Sequence, residues 1–230
     1  MGVTSIGLSS SRSSSRLAVA DVRALCRECL LDAYSMNECP NCGKNVMETS
    51  NTGTQHILCN LDNEGGLQEG MDIMPLLVEA SYLKAYPEDR KGRAFVEFAA
   101  EGDATSMLDM LAEHDSDDEM DGEHQATINT EILRYQDPLG GMISALHAAI
   151  VNNNEVVAWL LLWLASSLDE GVFPANVVQQ AQVMGIARRS LTSQADLRCL
   201  INAEGKTAAQ LAKEKGELWA RWVDAGWLEP

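Results

Sequence analysis

The chain has 230 residues, 46% of them hydrophobic, and a formal net charge of −17. That length and apolar content suffice for one or two domains with packed cores. No apolar run reaches the ~18 residues of a membrane span, and the acidic balance disfavours direct contact with nucleic-acid phosphates.

The first twenty residues are rich in Ser and Arg and carry no acid before Asp21, so residues 1–20 are expected as a disordered tail. A transit peptide shares that composition, whereas a secretory signal would need an apolar stretch that is missing. Ile6 also stands where a myristoylated N-terminus wants Ser or Thr. Residues 21–60 are expected as one small module, and four of the six cysteines cluster in it as Cys26 and Cys29, then nine residues, then Cys39 and Cys42, with Cys59 further on. Each C-x-x-C turn can present two thiolates to one point, and two such turns complete a tetrahedral zinc shell. Gly43 follows the last of them and can take a left-handed conformation that turns backbone amides toward the sulfurs. A disulfide pair and a redox C-x-x-C are the competing readings. His56 and Cys59, at x2 spacing nearby, are a remnant of a second site, a replacement ligand, or neither.

The spacing resembles a zinc ribbon of the short, double-zinc-ribbon kind, in which C-x-x-C precedes C-P-x-C-G-K after about ten residues. The gap is shorter than the ~15–20 residues of the usual four-cysteine pattern. The resemblance implies that Cys26, Cys29, Cys39 and Cys42 bind one Zn2+. A shell of four protein ligands has no open position, so such a zinc is structural rather than catalytic.

Between residues 61 and 91, the apolar spacing from Ile73 to Leu83 predicts one helix, with Pro75 in its first turn and Pro87 beyond its end. It is expected to cap a repeat stack, with "PEDRKGRAFV" as an exposed linker. Three similar helix pairs follow. "GRAFVEFAAEGDATSMLDMLAE", from Gly92 to Glu113, has the small pair Ala99 and Ala100 and a turn at Gly102 and Asp103. "SALHAAIVNNNEVVAWLLLWL", from Ser144 to Leu164, joins an alanine-rich helix to one filled with Val, Leu and Trp. "NAEGKTAAQLAKEKGELWARWVDAGWL", from Asn202 to Leu228, repeats the layout with turns at Gly205 and Gly216. Helix pairs this short cannot bury an apolar face alone and should stack on one another, and three are about the minimum.

The central pair resembles an ankyrin repeat, whose first helix opens T-P-L-H-x-A and whose second is E-V-V-x-x-L-L. Ser144, Ala145, Leu146, His147 and Ala149 match the opening, and Asn153 stands where a Gly is usual. Asn202 to Thr207 matches the N-x-x-G-x-T turn, and Asp224, Ala225 and Gly226 the closing E-A-G. The resemblance implies that His147 bonds to turn backbone and that partners meet the concave face and the hairpin tips. The expected fold class is therefore mainly α: a short ankyrin-like stack over 92–230 behind a small zinc-ribbon-like module.

Two inserts lengthen the array, since Ala99, Ala149 and Ala212 are far more than the family's period of about 33 apart. The first, 114–130, carries all but the first residue of the acidic block "EHDSDDEMDGE", Glu113 to Glu123, a solvated segment suited to a basic partner or to solubility alone. Ser116 within it suits an acid-directed kinase. The second, 166–200, is open to two readings, a degenerate repeat or a long loop, and "ANVVQQAQVMGIARRSL" predicts a helix in it. Cys199, between Arg198 and Leu200, is expected as a core thiol. Trp219, Trp222 and Trp227 are interface anchors if exposed and an end cap if buried.

Residues 61–140 carry five basic and twenty acidic residues, and the rest of the chain is nearly balanced. No Gly-rich phosphate loop, H-E-x-x-H or G-x-S-x-G is present, so no catalysis is expected. The expected function is a non-catalytic module that holds one or more protein partners. An acidic escort chaperone for a basic, ribosomal or histone-like protein is the sharper alternative, and a zinc-ribbon nucleic-acid accessory factor the remoter one. No membrane partner is expected, and the expected location is cytoplasm or nucleus. The oligomeric state, the partner and the process are not encoded in any motif found here.

Overall fold

A computed structural model describes residues 5–8, 45–63, 66–112, 130–183, 188, 196–216 and 218–230. The chain is mostly helical and divides into two compact units, Met1–Pro87 and Glu88–Pro230.

The first unit is built on an antiparallel sheet of order β1-β4-β5, with β1 at Ser5–Leu8, β4 at Leu58–Asn63 and β5 at Gly66–Asp72. Strand β1 lies within the stretch expected as a tail, and pairs Ser5 with Asp62 through Leu8 with Cys59. A smaller pair, β2 at Glu48–Thr49 and β3 at Gln55–His56, precedes it. Helix α1, Met74–Ala85, has Pro75 at its start and buries Met74, Leu77 and Ala80. This is the helix predicted from the apolar spacing, and it belongs with the strands. Its entrance is set by Asp72. One carboxylate oxygen accepts from the amides of Ile57 (3.2 Å) and Met74 (3.0 Å), and the other from His56 Nδ1 at 2.7 Å. Burial pushes this carboxyl up, but the His56 hydrogen bond and the two amides outweigh it and hold the pKa below its ordinary value.

The second unit is a row of three helical hairpins. Helix α2, Asp89–Glu101, buries Gly92, Phe95, Val96 and Ala99, an i, i+3, i+4, i+7 stripe. It begins inside the segment expected as a linker: "DRKGR" continues the helix because no Pro or cap interrupts it. It ends at Gly102, whose φ of 84° is the left-handed conformation that closes helices. Helix α3, Ala104–Ala112, follows, with Asp103 accepting from the Ser106 amide at 3.0 Å. Helices α4, Ala145–Val151, and α5, Glu155–Ala165, form the second hairpin, and α7, Ala208–Lys215, and α8, Ala220–Asp224, the third. The first helices α2, α4 and α7 touch in that order, and each packs on its own partner. Ala99, Ala145, Ala148, Ala149, Ala208, Ala209 and Ala212 are all at most 1% exposed. With a methyl group as the side chain, neighbouring helices approach closely at these positions.

Within the second insert, the predicted helix is α6, Ala175–Val183, with Ala181 buried. Phe173, just before it, packs edge-on against Trp159 and Trp163, at 5.6 and 5.2 Å between ring centres. Trp219 and Trp222 are fully buried, and Trp222 and Trp227 lie 4.1 and 4.8 Å from Trp159. The C-terminal tryptophans therefore cap the stack rather than project from it. Among the described residues no helix is long and apolar enough to cross a membrane.

Candidate interaction surface

The turns between hairpins converge at one end of each first helix. Strands β6, Gln136–Asp137, and β7, Ile143–Ser144, pair antiparallel and enclose a tip at residues 138–142. Its shape is dictated by Asp137, which is 6% exposed. The Asp137 carboxylate accepts from the Leu139 amide at 3.0 Å, and both of its oxygens accept from Arg93 Nη1 at 2.7 Å, so α2 anchors the tip. A side chain at Gly140 would meet Asp137 Oδ2 at 2.5 Å, which explains the glycine. Met142 has φ 58°, left-handed and unusual for a side chain of its size.

The next turn is built the same way. The Asn202 side chain accepts from the amides of Glu204 and Lys206 at 3.0 and 2.9 Å, Gly205 has φ 72°, and Thr207 starts α7 with a capping box to Gln210. The two turns are tied together: Gln136 Nε2 donates to Met142 O (2.9 Å) and Ile201 O (2.6 Å), and the Ala203 amide donates to Gly141 O at 2.8 Å. Leu139, Met142 and Ile201 are left 38%, 39% and 53% exposed on this fixed frame.

His147 links the hairpins from beneath. It is fully buried; Nδ1 lies 2.7 Å from Ser144 Oγ and 3.3 Å from the Ser144 amide, which donates to it. Nε2 therefore carries the proton and donates to Lys206 O at 3.2 Å. Burial pushes the imidazole pKa below 6.5, and the Lys206 carbonyl only partly offsets this. The histidine thus bonds to turn backbone. On the other side, Asn154 Nδ2 donates to Ala99 O (3.0 Å) and Ala100 O (2.8 Å), which have no further turn of α2 to bond. Asn153, where glycine was expected, has φ 61° and accepts from Trp219 Nε1 at 3.2 Å.

The far end of the stack is held by a buried ion pair that no motif announced. Arg198 and Asp196 are 3% and 1% exposed and meet at 2.6 Å. Arg198 also donates to Ser167 Oγ (2.9 Å) and to the carbonyls of Trp227 and Glu229. Burial pushes the Asp196 carboxyl up, but the hydrogen bonds from Arg198 and Ser167 prevail and bring its pKa down to about 2. Cys199 is exposed, contrary to the expected core thiol. In the short 3-10 turn Leu197–Cys199 the inward positions are taken by Leu197 and Arg198.

Cys26, Cys29, Cys39 and Cys42 lie outside the described residues, as does most of the acidic insert, Ser116 included. Among the described residues no three His, Cys, Asp or Glu side chains gather as a metal site. His56 is engaged with Asp72, and Cys59 sits on β4 opposite Met71. No family model, curated protein or solved structure matches this chain.

Proposed function

We propose that this protein is a non-catalytic module that holds a protein partner at its hairpin tips, with ankyrin-like stacking as the scaffold and a structural Zn2+ in the four-cysteine segment. The observation that carries the reading is the apolar patch of Leu139, Met142 and Ile201, exposed on turns that are cross-tied by side-chain and backbone hydrogen bonds. Apolar groups held out on a rigid frame lose little entropy on binding, which suits recognition. The left-handed Met142 supports the same reading, since strained backbone concentrates at functional positions.

Tagged protein is expected to retain a defined partner from native lysate, and Ile201→Asp, at an exposed site, to lose it without change in melting temperature. Retention of the same partner by Ile201→Asp and Met142→Asp would sink the tip assignment.

The escort reading draws on charge. The net −17 would speed encounter with a basic protein and make binding fall as salt rises from about 0.15 to 0.5 M. Binding that persists unchanged in high salt would favour the apolar tips acting alone. The same charge weighs against a nucleic-acid partner.

A further inference from the structure

His147 is wedged between the two turns that carry Leu139, Met142 and Ile201. It lies fully buried in the first turn of α4, with Nδ1 on Ser144 at the end of β7 and Nε2 on the Lys206 carbonyl of the next turn. Ser144 pairs with Gln136 across β6 and β7, and Gln136 Nε2 in turn holds Met142 O and Ile201 O. Lys206 O also accepts from the Asn202 amide at 2.9 Å, which closes the turn beside Ile201. Each ring nitrogen is thus linked through one further residue to the exposed apolar patch.

In the neutral ring Nδ1 accepts from the Ser144 amide at 3.3 Å and lies 2.7 Å from Ser144 Oγ. Nε2 already carries a proton, so a second one can go only to Nδ1. It would turn that acceptor into a donor aimed at another donor. The Ser144 hydroxyl can rotate to accept it, but the backbone N–H cannot, and a buried amide is left without its partner. The imidazolium would also find no free carboxylate on the elements packed around α4. Asp137 on β6 is committed to Arg93, Lys206 to Glu204 and Glu214, and Glu155 on α5 to Arg221. Glu97 and Glu101 on α2, and Lys213 and Lys215 on α7, are exposed, and Asp89, Arg90 and Lys91 stand at the start of α2. Burial lowers the His147 pKa and the Lys206 carbonyl partly restores it, with no charged group contributing.

We propose that His147 is a proton-operated latch: protonation at Nδ1 unties the two turns, so that the tips lose their fixed frame and release their partner in acid. The release rests on the reading of the tips as the partner surface; the untying does not. Once untied, the imidazole meets water and titrates near its ordinary 6.5, whereas in the tied form it titrates lower. The tied form is therefore favoured in full above 6.5 and loses ground as the pH falls through 6.5 toward the folded value. Opening should rise about tenfold for each pH unit that separates the two values.

Amide hydrogen exchange on the full chain, corrected for the intrinsic effect of pH, follows the latch without any partner. Between about pH 7.5 and about pH 5, protection should fall several-fold at the amides of Met142, Ser144, Ala203 and Lys206, and hold at those of Trp222 and Val223 in α8. The loss should track the titration of the His147 ring, followed by NMR. His147→Gln keeps an acceptor for the Ser144 amide and a donor for Lys206 O but takes no proton, so its protection should not change over this range. His56→Gln, in the other unit, should behave as the native chain does. The latch is overturned by unchanged protection in the native chain, by an equal loss in His147→Gln, or by a loss that sets in while the imidazole is still neutral. The last comparison is made on the native chain and holds even if His147→Gln fails to fold. None of these outcomes touches the tip assignment, which Ile201→Asp tests at neutral pH.

Discussion

Gly92 lies inside α2, at its fourth residue, where glycine costs helix stability relative to alanine. The reason it stands there is Tyr135: a Cβ at Gly92 would come within 2.4 Å of Tyr135 Cγ, the root of the ring, which cannot swing away as a ring edge could. Gly92→Ala should therefore destabilise by about 1–3 kcal/mol in chemical denaturation, despite its better helix propensity; a gain in stability would show that Tyr135 repacks freely. Asp196 makes the opposite case, a charge buried because it is fully paired. Asp196→Ala leaves Arg198 stranded and should cost about 3–5 kcal/mol, seen as a lowered urea midpoint. The carboxyl titrates near 2 rather than 3.8, so the unfolded chain binds the proton more readily. Its contribution is complete above pH 3.8 and is lost as the pH falls toward about 2. His147 acts at higher pH in the same direction. Its folded pKa lies below 6.5, so stability is complete above 6.5 and declines as the pH falls through 6.5 toward the folded value. Urea midpoints at pH 7.5 and 5.5 should therefore differ more in the native protein than in His147→Gln, and an equal difference would show that the imidazole charges freely in place.

At the scale of elements, the hairpins communicate through a few side chains placed at helix ends. Asn154 is the clearest, since its amide reaches two terminal carbonyls of the preceding hairpin. Asn154→Ala should cost about 1–3 kcal/mol by leaving those groups without that donor, and amide exchange should rise at the end of α2 before it rises in α7. Such local chemistry was legible in the sequence. The capping Ser144 and Thr207, the left-handed Gly102 and Asn153 and the turn from Asn202 to Thr207 each depend on residues within five positions. The hairpin of β4 and β5 was not legible, because "LCNLDN" and "GLQEGMD" lack the alternation that marks a half-buried strand. Nor were the Arg93–Asp137 and Asp196–Arg198 pairs, the first because its partners are 44 residues apart and the second because nothing in "ADLRCL" indicates burial. The exposed Cys199 was misplaced for the same reason: a 3-10 turn of three residues sets its orientation, and no periodicity operates over so short a length.

For the molecule as a whole, the two units can be followed separately. All five tryptophans, Trp159, Trp163, Trp219, Trp222 and Trp227, fall in Glu88–Pro230, and none in Met1–Pro87. If the four cysteines bind a structural zinc, chelation should release about one metal per chain and alter the first unit alone. Far-UV circular dichroism should then change while the midpoint of tryptophan unfolding stays where it was; a coincident loss of both signals would mean that the zinc also supports the helical stack.

The same rings have an optical consequence. Trp159 stands 4.1 Å from Trp222 and 4.8 Å from Trp227, with planes inclined at 35° and 55°. Indoles that close and that tilted share their electronic transitions, so the stack should show a split exciton band and depolarised emission as excitation hops among them. Both would vanish once the rings part, making the protein a label-free gauge of its own packing.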